Sequence, residues 1–117
     1  MRKGYKKEWE LFHLLWKKGF SVVRVAGSGS TTMPACDLVA GNKKKKLAIE
    51  VKSGKKNKIY VDKRKIDQLI EFSEKFGAKP LIIVNFYRKG WYIFEIKNLE
   101  NSGNFFICDI NKGKKIE

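Results

Sequence analysis

Leu47-Ala48-Ile49-Glu50-Val51-Lys52 is an apolar run with a carboxylate and an ammonium set into it two residues apart. The run reads as a strand, and in a strand residues two apart share a face. Leu47, Ile49 and Val51 then look one way while Ala48, Glu50 and Lys52 look the other. The first face is fully apolar and must be covered by another layer. The charges on the second must open into a cleft or into solvent, because an unpaired buried carboxylate is costly. The chain therefore has to build a sheet with one covered face and a place on the other where two charges meet.

The neighbouring segments supply that sheet and its cover. From Tyr5 to Lys18 the apolar spacing is helical, with Tyr5, Glu8, Leu11, Phe12 and Leu15 on one side and Lys6, Glu10, His13 and Lys17 on the other. Gly19 is suited to end the helix. Phe20 to Val25 reads as a β-branched strand, followed by a loop of small and hydroxylated residues from Ala26 to Pro34. Strands at about 36–40 and 46–52 flank a hairpin turn at Gly41-Asn42-Lys43-Lys44-Lys45. Ser53 to Lys58 is basic and polar and reads as a loop. Asp62 is an N-cap for a helix running to Phe76, with Gly77 past its end. Strands follow at Leu81–Phe86, Trp91–Ile96 and near Phe105–Cys108, before a basic tail. The order α-β-β-β-α-β-β-β predicts an α/β fold, a central mixed β-sheet flanked by helices. No internal repeat or linker divides the chain, so residues 1–117 are expected to be one domain.

Charge narrows the partners. Twenty-six Lys and Arg against twelve Asp and Glu leave a net charge of +14. Such an excess gathers polyanions, and together with 13% aromatic residues it points to nucleic acid. Solubility alone, or heat adaptation, is the plainer reading of the same lysines. No apolar stretch approaches the ~18 residues needed to cross a bilayer, and the basic N-terminus leads into an amphipathic helix rather than a signal core. Cys36 and Cys108 form neither a CxxC pair nor a dense framework. An intracellular, cytoplasmic protein with two ordinary thiols and no membrane contact is expected.

Asp37 precedes Glu50 by twelve intervening residues, giving D-x12-E-x-K with Lys52. Two carboxylates can hold a hard, oxygen-seeking Mg²⁺, and a lysine beside them can offset phosphate charge or orient water. The same residues also fit a turn cap and a surface cross-strand charge pair. Glu8 lies inside the apolar arc of the first helix, where it needs either a metal reached through water or a salt-bridge partner. Arg24 stands before Gly27-Ser28-Gly29-Ser30-Thr31-Thr32, a loop whose backbone donors and hydroxyls, Ser28 and Ser30 among them, can approach phosphate. It is not a P-loop, because no Gly-Lys-Ser/Thr follows. A mobile connector is the alternative. His13, on the polar face, has no organised partners for acid–base work. Lys43, Lys44, Lys45, Lys55, Lys56 and Lys58 are candidates for phosphate contact.

At these residues the chain resembles the archaeal Holliday junction resolvases of the restriction-endonuclease-like superfamily. The matching stretches are Arg2-Lys3-Gly4 with Glu8, Gly19 to Ser28, Asp37 to Asn42, Ala48 to Lys52, and Gln68 to Phe72 with Phe76-Gly77. The resemblance implies a Mg²⁺-dependent homodimer (Mn²⁺ a substitute) that binds branched DNA at four-way junctions and nicks two opposed strands. It implies Glu8, Asp37, Glu50 and Lys52 as the catalytic set, with Glu8, Asp37 and Glu50 on the metal. Arg24 and Ser28 become DNA-facing or supporting residues. Trp9 stands where many members carry an arginine, whose phosphate-binding share would fall to Arg2, Lys3 or Lys7. Pro34 is displaced from its usual place directly before the aspartate.

In the helix from about 63 to 76, Ile66, Ile70 and Ser73 mark the inward stripe, and Leu69, Phe72 and Phe76 widen the apolar surface. Periodicity leaves core packing and an interface equally open. The resemblance implies a dimer contact at Leu69, Phe72 and Phe76. No motif for a sliding clamp or a helicase is readable. Two rivals remain: another nuclease of this fold acting on linear or damaged duplex, and a non-catalytic nucleic-acid-binding module.

Overall fold

The computed structural model describes residues 3–26 and 33–117, Lys3 by its backbone alone. Two helices, α1 (Lys3–Lys17) and α2 (Lys63–Phe76), accompany nine strands among the described residues. These are β1 (Ser21–Arg24), β2 (Leu38–Gly41), β3 (Lys46–Gly54), β4 (Lys58–Asp62), β5 (Lys79–Phe86), β6 (Gly90–Glu95), β7 (Glu100–Ser102), β8 (Phe105–Asp109) and β9 (Lys114–Lys115). The main sheet has the order β1-β2-β3-β5-β6-β9. At its centre β3 and β5 run parallel, Glu50 opposite Ile82 and Lys52 opposite Val84, and every other pairing is antiparallel. This is the expected mixed sheet. A parallel pair requires a crossover, and β4 with α2 provides it.

Alternation along β3 and β5 assigns the two faces. Leu47, Ile49, Leu81 and Ile83 pack with Leu11 and Leu15 of α1, on the arc predicted to face inward. Ala48, Ile82, Val84 and Phe86 look the other way, onto Ile66 and Leu69 of α2 and onto Val61 and Cys108. A strand buried on both sides reads as a continuous apolar run, which is why Leu81-Ile82-Ile83-Val84 shows no polar alternation. Phe86 and Phe94 are almost wholly buried, and burying a side chain of that size contributes roughly 1.5–3 kcal/mol. Packing over Phe94 is tight, since a Cβ added at Gly113 would lie 2.6 Å from its ring.

The helix ends follow their residue chemistry. The Asp62 side chain accepts the Arg64 N–H at 2.8 Å, and Gly77 takes φ 81° and returns its N–H to the Ser73 carbonyl. Gly19 sits beyond α1 at φ 96°. Cys36 and Cys108 are free and buried, and burial pushes both thiols up to about 12, so neither is a nucleophile at neutral pH.

The structure departs from or adds to the sequence reading at three points. The segment expected to loop from Ser53 to Lys58 does so only at 55–57: β3 continues to Gly54 and β4 begins at Lys58. The polar composition is that of strand ends exposed on one side. β4 does not join the main sheet but pairs with β8, and β8 with β7, as a second small sheet beside α2. The basic tail is not free, since β9 pairs its Lys114 and Lys115 with Ile93 and Tyr92 of β6. No helix among the described residues is long and apolar enough to cross a membrane.

Candidate active site

Asp37, Glu50, Val51, Lys52 and Ser53 line one cleft with Gly4, Lys7 and Glu8 of α1 and Lys65 of α2, around a space of about 350 Å³. Residues far apart in sequence meet because β2 starts where β3 leaves the core. The Asp37 N–H donates to the Ile49 carbonyl, and its own carbonyl accepts from Val25, both at 2.9 Å. Beyond that point β2 offers no further backbone acceptor to β3. The Asp37 carboxylate takes over, with Oδ2 accepting the Val51 N–H at 2.8 Å. One carboxylate thereby completes the ladder and is held beside Glu50, the next residue along β3.

Glu50 is only 6% exposed. Burial first, and then the negative charge of Asp37, push its carboxyl from the ordinary 4.5 up to about 7, against the opposing pull of Lys52 and Lys65. The Lys52 ammonium lies 3.5 Å from Glu50 Oε2. Two carboxylates side by side at the floor of a cleft suit a divalent cation, because Mg²⁺ is held by one or two carboxylates and completes its shell with water and substrate oxygens. The hard oxygen donors of Asp37 and Glu50 fit that ion.

The third acid, Glu8, has a partner of its own. Glu8 faces the cleft, but its Oε1 accepts a hydrogen bond from Arg24 Nε at 3.0 Å, with both side chains about one-fifth exposed. Among the described residues no group of three Asp, Glu, His or Cys side chains is gathered into a ligand cluster. The guanidinium gives Glu8 the counter-charge that its half-buried place on α1 calls for. Of the two roles open to Glu8, the salt bridge is the one the structure displays.

Arg24 is itself held by the aromatic side chains of α1. Its guanidinium lies 4.2 Å from the centre of the Tyr5 ring and 5.9 Å from that of Trp9, while Tyr5 and Trp9 meet edge to face. Trp9 thus forms an aromatic shelf that holds Arg24 against Glu8.

Other expected residues separate into groups. Lys55, Lys56 and Lys58 follow Lys52 at the cleft end of β3. Lys43, Lys44 and Lys45 occupy the tight turn at its other end, where Asn42 Oδ1 accepts the N–H groups of Lys44 and Lys45 at 2.8 Å. At about 3.3 Å per residue that turn lies on the order of 20 Å from Glu50, so these three do not border the cleft. Leu69 is wholly buried inside the chain's own core and offers nothing to a second subunit. Its place in the expected dimer contact is corrected for that reason. Phe72 and Phe76 stack with ring centres 5.3 Å apart, Phe76 being 47% exposed, beside Met33 and Pro34. Arg2, Ser28, Ser30 and the Lys3 side chain lie outside the described residues. His13 is exposed, as expected.

The cleft residues missed from the sequence are Lys65 and Ser53. A signal for Lys65 existed: α2 opens with Lys63-Arg64-Lys65 and has no acid in its first turn. Cations there oppose the helix dipole, a local cost that the pull between Lys65 and the Glu50 carboxylate helps offset.

The likenesses to known proteins agree with this geometry. The family model "Archaeal holliday junction resolvase (hjc)" matches residues 1–117. The chain is 40% identical over 107 residues to the crossover junction endodeoxyribonuclease Hjc of Archaeoglobus fulgidus, covering 92% of this chain and 79% of that protein. To the Hjc of Methanocaldococcus jannaschii it is 41% identical over 116 residues, covering 99% and 84%. The solved structure of the Archaeoglobus fulgidus Hjc, described as a Holliday junction resolvase, superposes with a TM-score of 0.90 at 38% identity, covering 95% of this chain and 93% of that one. With this likeness the fold is restriction-endonuclease-like α/β.

Proposed function

The chain belongs to the archaeal Holliday junction resolvase family, and from that membership we propose how its cleft works. It is a crossover junction endodeoxyribonuclease, with residues 1–117 acting as one nuclease domain. The observation that carries the mechanism is the buried Glu50 beside Asp37 and Lys52 at the cleft floor. Asp37 and Glu50 would hold a divalent cation, Mg²⁺ by preference with Mn²⁺ as a substitute. That ion, when bound, supplies Lewis-acid polarisation of the scissile phosphate and a more acidic water.

The chain's own groups do the rest. The Val51 N–H fixes the Asp37 carboxylate, so its direction is set before DNA arrives. Glu50 would lose its proton on holding the ion, and the Lys52 ammonium, 3.5 Å from it, positions the reacting water and offsets charge that builds on the phosphoryl oxygens. Glu8, held by Arg24, positions water at the cleft wall. Arg24, with Arg2, Lys3, Ser28 and Ser30, contacts the flanking backbone. Recognition rests on branched shape and phosphate charge.

Cutting two opposed strands of a four-way junction requires two such sites, and a C₂ homodimer supplies them. Phe72 and Phe76 are the apolar anchors of that contact. Sedimentation of Phe72→Ala/Phe76→Ala should give a monomer; an unchanged dimer would sink this assignment.

The deciding experiment compares a synthetic four-way junction with linear DNA of the same arms, in Mg²⁺ and in chelator. Paired, Mg²⁺-dependent nicks in the junction alone are expected. Equal cutting of the linear arms would make the chain a general nuclease of this fold. Binding without cutting would make it a binding module.

A further inference from the structure

The turn joining β3 to β4 and the turn joining β5 to β6 are built into each other. The Tyr87 N–H donates to the Gly54 carbonyl at 2.9 Å, the Lys89 N–H closes its own turn onto the Phe86 carbonyl at 2.8 Å, and the Lys89 ammonium donates to Asn57 Oδ1. Arg88 takes φ 64°, the one positive φ at a non-glycine position among the described residues. Tyr87 stands 52% exposed between the turns. The Arg88 guanidinium is 5.2 Å from its ring centre and the Lys55 ammonium 5.8 Å.

The result is five cations, Lys55, Lys56, Lys58, Arg88 and Lys89, on two touching turns whose residues 54–58 and 87–90 include no acid. Such a cluster repels itself and calls for a polyanion. Its position says which one. The register pairs Lys52 with Val84 and Gly54 with Phe86, so both turns leave the sheet at the same edge as the cleft. At about 3.3 Å per residue, Lys55 lies roughly 10 Å beyond Lys52.

Resting on the reading of the cleft as the cutting site, we infer that the joined turns clamp the backbone of the strand being cut. Arg88, Lys89 and Lys55 contact phosphates next to the scissile one. Tyr87 holds Arg88 and Lys55 together as a positioning residue, and the Lys89–Asn57 contact keeps the turns in register.

The test uses the full chain and a four-way junction carrying one neutral methylphosphonate at successive positions around the nick. Arg88→Gly/Lys89→Ala removes two charges, and glycine accepts the left-handed φ, so the melting temperature should hold. The wild type should bind about three- to tenfold more weakly when a neutral linkage lies at a clamped position. In the double variant the slope of log affinity against log salt should become shallower by about 2, near 0.9 for each lost phosphate contact, and sensitivity at those positions should vanish. Tyr87→Ala removes no charge yet should weaken binding severalfold, with Tyr87→Phe restoring it. A double variant with the wild-type salt slope and the wild-type sensitivity would overturn the clamp. Wild-type protein that cuts no junction would instead overturn the reading of the cleft.

Discussion

At its N-terminal end β3 leaves a turn of Lys43, Lys44 and Lys45; at its C-terminal end it passes through Glu50 and Lys52 toward Lys55, Lys56 and Lys58. Lysine density is similar at the two ends, but their surroundings differ. The first turn is closed locally by Asn42, and Lys44 and Lys45 border a groove floored by Leu81, Ile83 and Ile93 on the α1 side of the sheet. The second end faces two acids and the start of α2. A lysine's charge therefore says little about function until the sheet places it beside something a phosphate would approach. What separates the ends is buried negative charge.

The hardest blow to that contrast falls on the acids. Glu50→Gln should reduce nicking by roughly 10³-fold, the upper range for removing one preorganised electrostatic group, while junction binding in chelator stays near wild type. A mutant that nicks at the wild-type rate would remove Glu50 from the mechanism.

Replacing Lys55, Lys56 and Lys58 with alanine should make the salt slope of junction binding shallower by roughly 2–3, whereas the same change at Lys43, Lys44 and Lys45 should alter it by less than about 1. Equal losses from both sets would erase the distinction between the two ends.

The raised carboxyl makes metal binding depend on pH. Below about 7 Glu50 must release its proton to become a ligand, so Mg²⁺ affinity should rise about tenfold per pH unit toward 7 and then level off. Isothermal titration from pH 5.5 to 8 measures this, and an affinity flat across that range contradicts it.

The smallest effect is on stability without metal. Because the folded carboxyl titrates near 7 and the unfolded one near 4.5, the folded state holds a proton that the unfolded chain has already released. Stability should therefore decline as pH rises from about 4.5 to about 7, by on the order of 1–3 kcal/mol at 1.36 kcal/mol per unit. Urea unfolding in chelator should show the decline in the wild type and lose it in Glu50→Gln. If both proteins follow the same pH curve, Glu50 is not the titrating group.

Much of the site was open to sequence reasoning because it depends on strand parity. Glu50 and Lys52 share a face by the period of a strand, and the tight turn at 42–45 returns the chain antiparallel so that Asp37 comes level with Glu50. Caps at Asp62 and Gly77 were legible because their side-chain and backbone requirements are local. Neither β4 nor its partner was, since a short, largely exposed strand carries little apolar signal and can pair wherever another edge is free. Nor was the fate of Leu69 against Phe72 and Phe76. Helical periodicity gives an arc but not the line where the core ends and an open face begins.

By itself the sequence determined D-x12-E-x-K, the charge of +14 and the alternation of helices and strands. Together these confine the protein to a sheet-based fold with two acids and a lysine at one spot. Tertiary structure alone decided that Glu8 belongs to Arg24, that Lys65 joins the cleft, and that Tyr87, Arg88 and Lys89 meet the turn after β3. Those outcomes rest on distances of a few ångströms between residues remote in the chain. Electrostatic and hydrogen-bond energies turn on such distances, and no local pattern of residues encodes them.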